Sequence, residues 1–484
     1  MKNLNKKTKY KFMWGQKQSA MFAEYMLLNF AVRNKEFTIT AGINDVIREH
    51  NKGFSYIYFS ETAIENGYKN SKRFLDTKES ESIFTRIDNM VKDSRQFYTE
   101  LRQLNYNVLT KEEIIGNIKK HAEKFLFGQK LFRASDPSST KMVEDEIKNI
   151  LKDKYEDDQL IEKFITLVTP TELDKTQQEL VDLYNLASNN KLPTKDELLN
   201  CVFTYPANYA NTWSYGEILQ YLKEKISKVN ITKLKQEIEQ IKKTKTTTKE
   251  KQEIIYQEFI RDAKLKQHAT ILQNLALKRF ELKHAWAGGE ILCLEFLQYL
   301  AKQINLDFKI FMESYNFTDL LNFYENGTKL TANEIETRRE YSVIHYIKNS
   351  LHYLYGKKAK DYFKKRYSLE TINELKGMVA NKGTADGLVR IVKVDDLSQF
   401  IKDSNDFNKG EILVTTMTSP IMLTLASKAA AIVTNEGGVC SHAAVIAREL
   451  NIPCIVGTHD ATNAFRTGER VYVDALKGVI RKIQ

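Results

Sequence analysis

The sequence predicts a multidomain α plus α/β protein, mostly helical through its N-terminal and middle regions and closing on a mixed β/β/α unit. Three observations carry this. The chain has 484 residues, too many for one ordinary core, so two or three domains are expected. Before about residue 376, glycine and proline are sparse and apolar residues recur at three- and four-residue spacing, the period of an amphipathic helix. After it, short β-branched runs alternate with glycine and proline punctuation, and nine of the 20 glycines fall from Gly377 onward. The expected divisions are 1–159, mixed and mainly helical; 160–373, helical; and 374–484, the mixed unit.

Composition narrows the function classes. Hydrophobic residues make up 42% and aromatics 11%, ample for packed cores, so disorder is not the theme. The net charge of +11 can signal a polyanionic partner. Here most basic residues are lysines alternating with Glu and Asp on helical stretches, and no aromatic strand motif or zinc-finger spacing accompanies them. No nucleic-acid partner is expected. Cys201, Cys293, Cys440 and Cys454 form no C-x-x-C pair and read as reduced thiols, with no metal site. The basic start MKNLNKKTKY is followed by a stretch that Lys17 and Glu24 interrupt, unlike a signal-peptide core. No run approaches the roughly 18 apolar residues of a membrane span. A cytoplasmic protein without a membrane partner is the expectation.

Along the chain, Phe54 to Phe59 (FSYIYF) fits a strand or a buried helical turn. Helices are expected from about Lys111 to Val168, broken by ASDPSST (Ala134 to Thr140), with a second break at NNKLPTKDE. Gln178 to Ala187 and the long stretch Lys251 to Phe280 are helical by spacing. KKTKTTTKEK, Lys242 to Lys251, reads as a turn between two long helices, because three consecutive threonines are poor helix formers. His345 and His352, seven apart, are placed on one helix face, too few ligands for a metal. In the last unit the strand candidates are Leu388 to Val394, Glu411 to Thr415, Ala430 to Thr434 (buried on both faces), Pro453 to Gly457, Arg470 to Asp474 and Gly478 to Ile483. Ser419 to Lys428 is a helix with Ser419 as N-cap and Pro420 at its first position, and Ser441 to Leu450 is another.

The informative stretch is TNEGGVCSHAAVIARELNIPCIVGT, Thr434 to Thr458. A buried strand ends at Thr434. Gly437 and Gly438 let the backbone turn sharply and approach a ligand closely. A helix then begins near Ser441, presenting free N–H groups and the positive end of its dipole, a ready anion site. His442 sits there. A helix N-terminus disfavours imidazolium and keeps the ring nucleophilic, while the same N–H groups face the negative charge of a phosphorylated ring. Arg448, six residues on, can reach a phosphate or a partner surface, or snorkel. Taken alone, a histidine at a helix start fits a cap or a satisfied polar group as well as a nucleophile.

Together, Thr434, Gly437, Gly438, Ser441 to Ala444, Ala447 to Glu449, Ile452, Pro453, Val456 and Gly457 resemble the signature of the phosphohistidine swivelling domain of the phosphoenolpyruvate-utilising enzyme family. The flanking Gly377, Gly383, Gly387, Gly410, Pro420, Gly468, Asp474 and Gly478 extend the match over about 374 to 484. The resemblance implies a β/β/α swivelling domain phosphorylated on His442, with Gly437, Gly438, Ser441 and Arg448 around the phosphoryl group. Many relatives have Asp where Asn435 stands and Thr where Cys440 stands, which leaves the phosphorylated residue in place and the rate open. Cys454 reads as core. Gly377 and Gly383 are the hinge candidates.

Upstream there is no ATP-grasp-like glycine-rich loop with paired acidic ligands, and no alternating βα pattern of a phosphoenolpyruvate-binding barrel. Leu160 to Tyr367 more modestly resembles the helical substrate-binding domain of the rifampicin phosphotransferase group, on LVTPTELDKTQQELVDLYNLA and LTANEIETRREY. That resemblance implies a phosphotransferase component loaded by an ATP-grasp protein in trans, using ATP and Mg2+, and a small-molecule acceptor on the helical domain. Acceptor-site candidates are Trp213, among Tyr205, Tyr209 and Tyr215; His284, beside Trp286, Gly288 and Gly289; and Arg338, with Arg339. For each a bland alternative stands: aromatic core, a helix capped by two glycines, a solvated helix face. For the whole chain the alternative is a non-catalytic binding or regulatory protein that keeps the swivelling fold.

Overall fold

The fold is described from a computed structural model, covering all residues except 1–9, 18, 22–23, 25–44, 52–53, 135–136, 189–191, 211, 349, 366–373, 393–396, 419–421, 439–440, 459 and 484. The architecture is the expected one. A mostly helical N-terminal and middle region carries its own sheet, and a strand-rich domain ends the chain. No helix among the described residues is long and apolar enough to cross a membrane.

The first sheet is antiparallel. Its strands run in the order Tyr10–Lys17, Phe54–Ser60, Asp45–Asn51, Tyr341–Ile347 and Ser350–Tyr355. FSYIYF is therefore a strand. Alternation along these strands separates two cores. Val46, Ile57, Phe59 and Ile344 join the large helical core, whereas Ile47, Tyr58 and Val343 pack with Ala359 and Phe363. His345 and His352 do not share a helix face. They face each other across the hairpin, and His345 Nε2 lies 2.8 Å from Asp45 Oδ1.

The helical region is built on long helices, chiefly Thr77–Gln103, Lys111–Ala134, Ile231–Glu258 and Ala263–Trp286. Caps set several starts: Asp76 accepts from the N–H groups of Lys78 and Glu79, and Thr194 forms a capping box with Glu197. One apolar core runs through Ile83, Phe125, Ile147, Phe164, Leu167 and Val168 to Leu272, Phe296 and Phe311, spanning residue 159 without a gap.

The threonine run is not a turn. It lies inside the helix Ile231–Glu258. Tertiary contacts override weak propensity here. Lys245 Nζ donates to Pro170 O at 3.0 Å, and Gln252 Nε2 donates to the carbonyls of Thr166 and Thr169, both at 2.8 Å. The break falls later, at Asp262, which caps the next helix.

The C-terminal domain is an eight-stranded sheet ordered Glu374–Lys376, Val479–Lys482, Arg470–Asp474, Thr384–Ile391, Ile412–Thr415, Ala431–Thr434, Cys454–Val456 and Met378–Asn381. The pairs joining Thr384–Ile391, Ile412–Thr415, Ala431–Thr434 and Cys454–Val456 are parallel. Ala431–Thr434 is buried on both faces, between a core holding Ala443, Ala444 and Ala447 and another holding Val471, Val473 and Phe465. The first and last strands in this order are successive pieces of chain bent at Gly377, so the sheet wraps back on itself. A Cβ on Gly377 would lie 2.6 Å from Ile455 Cγ2 and 2.7 Å from Val456 O, and its N–H donates to Gly478 O. Gly383, at φ +135°, accepts from Ala475 N. Both glycines lie between strands, each with one backbone hydrogen bond to the strand connections of the same sheet. Ser419, Pro420 and Cys440 lie outside the described residues.

Candidate functional site

Three parallel strands end on the same edge, at Thr415, Thr434 and Val456. Loops beyond the carboxyl ends of parallel strands are where an α/β sheet places ligands. The first two of these loops build the site. Gly437 holds φ +113°, and a Cβ there would meet Ser441 Oγ at 2.8 Å. Ser441 N donates to Gly438 O at 2.9 Å, and Ser441 Oγ, the N-cap, accepts from Ala444 N at 3.4 Å. Asn435 anchors the loop with both ends of its amide: Nδ2 donates to Thr462 Oγ1 and Oδ1 accepts from Thr462 N.

His442 follows as the first residue of the helix His442–Glu449. Its side chain is 6% exposed. Thr418, from the preceding strand's loop, lies 2.8 Å from Nδ1 through Oγ1. Nε2 has no hydrogen-bond partner among the described residues. Burial and then the Lys283 ammonium push the imidazole down to about 3, against a hydrogen bond to the Thr418 backbone. At neutral pH the ring is uncharged. In the tautomer whose Nδ1–H donates to Thr418, Nε2 is the nitrogen free to use its lone pair.

The opposite wall belongs to the helical region. Phe280 presents its ring edge-on to His442, centroids 5.7 Å apart. Lys283, one turn on along the helix Ala263–Trp286, places Nζ 3.4 Å from Met417 Sδ. Burial lowers the Lys283 ammonium, Glu436 opposes that, and Arg279 adds to it. Further contacts bind the two walls. Arg448 donates from Nε to Ala380 O at 3.0 Å and from a terminal nitrogen to Thr169 Oγ1 at 3.1 Å. Gln177 Nε2 donates to Glu449 Oε1 at 2.5 Å. Burial raises Glu449 to about 7, with Lys245 opposing and Asp174 adding. A narrow cleft of about 20 Å3 runs along this seam, lined by Glu179, Leu183, Lys225, Leu423, His442 and Ile446 among others.

The expected site residues divide accordingly. Gly437, Gly438, Ser441 and His442 are brought together. Arg448 lies on the same helix, spent on Ala380 and Thr169. His284 is next to Lys283 in sequence, buried, and pushed down to about 3 by burial and then by Lys283, Lys175 and Arg95. Its Nδ1 accepts from Ala207 N at 3.2 Å, which leaves the proton on Nε2, so the ring is a hydrogen-bond donor there. Trp213 lies beside buried Glu290, together with Ser19. Tyr205 and Tyr209 sit in an apolar core with Leu198 and Leu222. Arg338 pairs with Asp319 at 2.5 Å and stacks over Tyr355, and Arg339 pairs with Glu313. Neither arginine contacts His442.

Thr418, Phe280 and Lys283 were not legible as site residues. Thr418 had a usable signal, since its loop leaves the same sheet edge as the glycine pair. Phe280 and Lys283 sit in an ordinary amphipathic helix, and nothing local marks them.

Residues 407–478 match the family described as PEP-utilising enzyme, mobile domain. A phosphoenolpyruvate synthase of Pyrococcus furiosus is 48% identical over 108 residues, 22% of this chain and 12% of that one. An uncharacterized phosphotransferase of Bacillus subtilis, YvkC, is 41% identical over 113 residues, 23% of this chain and 12% of that one. The chain thus spans about an eighth of the length of these curated relatives. Among solved structures, the holo-form of Thermococcus kodakaraensis aconitase X matches 23% of this chain and 98% of that chain, at 19% identity and a TM-score of 0.18.

Proposed function

We propose that the chain is a phosphotransferase component in which His442 Nε2 carries a phosphoryl group from a donor to a small acceptor held at the helical region. The observation that carries this is the state of His442: neutral, buried at a helix start, held at Nδ1 by Thr418, and unpartnered at Nε2 among the described residues. In the loading step Nε2 attacks phosphorus, an N–P bond forms, and the donor's P–O bond breaks with its electrons leaving on oxygen. In the second step an acceptor hydroxyl oxygen attacks, its proton passes to solvent, the N–P bond breaks and its electron pair returns to Nε2. Such chemistry rests on positioning and charge stabilisation. Ser441 and the free N–H groups of the helix start serve the phosphoryl oxygens, and Lys283 with Arg279 brings positive charge from the facing helix.

The donor in this reading is ATP with Mg2+, delivered by a separate ATP-grasp protein in the cytoplasm. Loading requires the C-terminal domain to leave the helical face, because His442 is closed off there. The acceptor enters along the seam beside His442. His284, expected as a general base, is better suited to donating a hydrogen bond.

The test is phosphohistidine formation. The full chain is incubated with Mg2+ and ATP labelled at the β or the γ phosphate, alone and with a candidate ATP-grasp protein, and in parallel with labelled phosphoenolpyruvate. Acid-labile label on the wild type, absent from His442→Ala, supports the proposal and identifies the phosphate moved. No label from either donor beside a demonstrably active ATP-grasp protein overturns it in favour of a binding module.

A further inference from the structure

Two polar groups lie on opposite walls of the seam, His442 buried and Lys283 half-buried, close enough for the Lys283 charge to act on the imidazole. His442 Nε2 makes no hydrogen bond among the described residues. Lys283 makes no ion pair among them. The contact of its ammonium is Met417 Sδ, and Glu436 acts on it only through longer-range charge. The neighbouring cation is differently placed: Arg279 is stacked 4.1 Å over the Phe132 ring and donates to Phe132 O. Burying an ammonium without a counter-charge opposes closure.

A phosphoryl group on Nε2 changes that balance. It adds roughly 1.5 to 2 negative charges at neutral pH and three strong acceptor oxygens. His442 lines the cleft along the seam, which places those oxygens between the two walls. A ligand or modification shifts a two-state equilibrium only by its differential interaction with the two states. Here the differential contact is identifiable, because Lys283 lies on the wall that the domain leaves.

We infer that phosphorylation of His442 tightens docking of the C-terminal domain onto the helical region, and that Lys283 is the residue that senses it. This rests on the carrier reading above and adds a direction to it. The loaded domain is drawn to the acceptor face, and the discharged domain is released from it, because transfer removes the charge that Lys283 holds. By linkage, docking stabilises the phosphohistidine to the same degree.

The experiment loads His442 chemically, so its outcome is independent of any donor protein. The full chain is treated with phosphoramidate, whose P–N bond breaks with loss of ammonia as the N–P bond to Nε2 forms. Modification is verified by mass, and His442→Asn is treated alongside to cancel effects at other histidines. Amide hydrogen exchange is then followed in the helices His442–Glu449 and Ala263–Trp286. Exchange in both is expected to slow on phosphorylation by about tenfold, the scale of a charge-assisted pair. The slowing is lost in Lys283→Met and partly kept in Lys283→Arg. Unchanged or faster exchange in phosphorylated wild type overturns the inference, as does the same gain in Lys283→Met. A chain that no ATP-grasp protein loads yet shows this Lys283-dependent gain refutes the proposed donor and leaves the inference standing.

Discussion

The two sheets of this protein are assembled in opposite ways. The C-terminal one takes all eight strands from between Glu374 and Lys482. The N-terminal one joins strands before Ser60 to a hairpin beginning at Tyr341, with Asp45 and His345 in contact across 300 residues. A locally closed sheet can form from its own segment. The other needs the intervening helices in place before its strands gain from pairing. The difference bears on function too. In the proposed function the phosphoryl carrier belongs to the self-contained unit, and the wall that receives it belongs to the unit closed from a distance.

The sharpest test of that division is His442→Ala. Acid-labile label is expected to disappear, falling at least ~1,000-fold, because no other group supplies the attacking nitrogen. Trp213→Phe and Arg338→Lys, both in the helical region, are expected to label like wild type, since loading takes place away from it. If either abolishes label while the fold is intact by circular dichroism, the loading step is not confined to the C-terminal domain.

Legibility in the sequence follows the same line. Gly437, Gly438, Ser441 and His442 are consecutive or nearly so, and the turn, cap and helix they specify are local, so their placement could be read directly. Ala431–Thr434 was recognisable as a doubly buried strand from its apolar run. Lys283 and Thr418 reach His442 only through tertiary packing. His345 and His352 were misplaced because seven residues suit a helix face and a hairpin pair alike, and the hairpin is decided by its partner strand Asp45–Asn51. The threonine run was misjudged because Lys245 and Gln252 are fixed by carbonyls some 80 residues earlier, at Thr166 to Pro170.

Stability offers two further comparisons. Ile47 is fully buried in the distant-closing sheet, and Ile47→Ala is expected to cost about 3 kcal/mol. Gly377→Ala forces a Cβ against Ile455 and the Val456 carbonyl, and is expected to cost about 2 kcal/mol through overpacking. Urea unfolding followed by hydrogen exchange resolves where each cost falls. Ile47→Ala is expected to lower protection in the helical region and its sheet, and Gly377→Ala in the strands after Glu374. If each substitution weakens both regions equally, the two units unfold as one and the contrast between them fails.

The smallest expected effect is the pH dependence of docking, and it divides between the two walls. In the docked state burial holds Glu449 up at about 7 and His442 down at about 3, from ordinary values of 4.5 and 6.5. Glu449 therefore favours docking fully below about 4.5, and that contribution is lost as pH rises to about 7. His442 favours docking fully above about 6.5, and its contribution is lost as pH falls toward about 3. Between about 4.5 and 6.5 the slopes have opposite sign, each at most about tenfold per pH unit, so wild-type docking should be nearly flat. The groups facing Glu449 are Lys245, Asp174 and Gln177, and Lys283 faces His442; all four remain in the variants. Glu449→Gln should expose docking that strengthens with rising pH in this window, and His442→Asn docking that weakens. Exchange protection of the helix Ala263–Trp286 reads both. If both variants stay as flat as the wild type, neither group changes its proton affinity on docking, and the seam is not closed by the residues assigned to it.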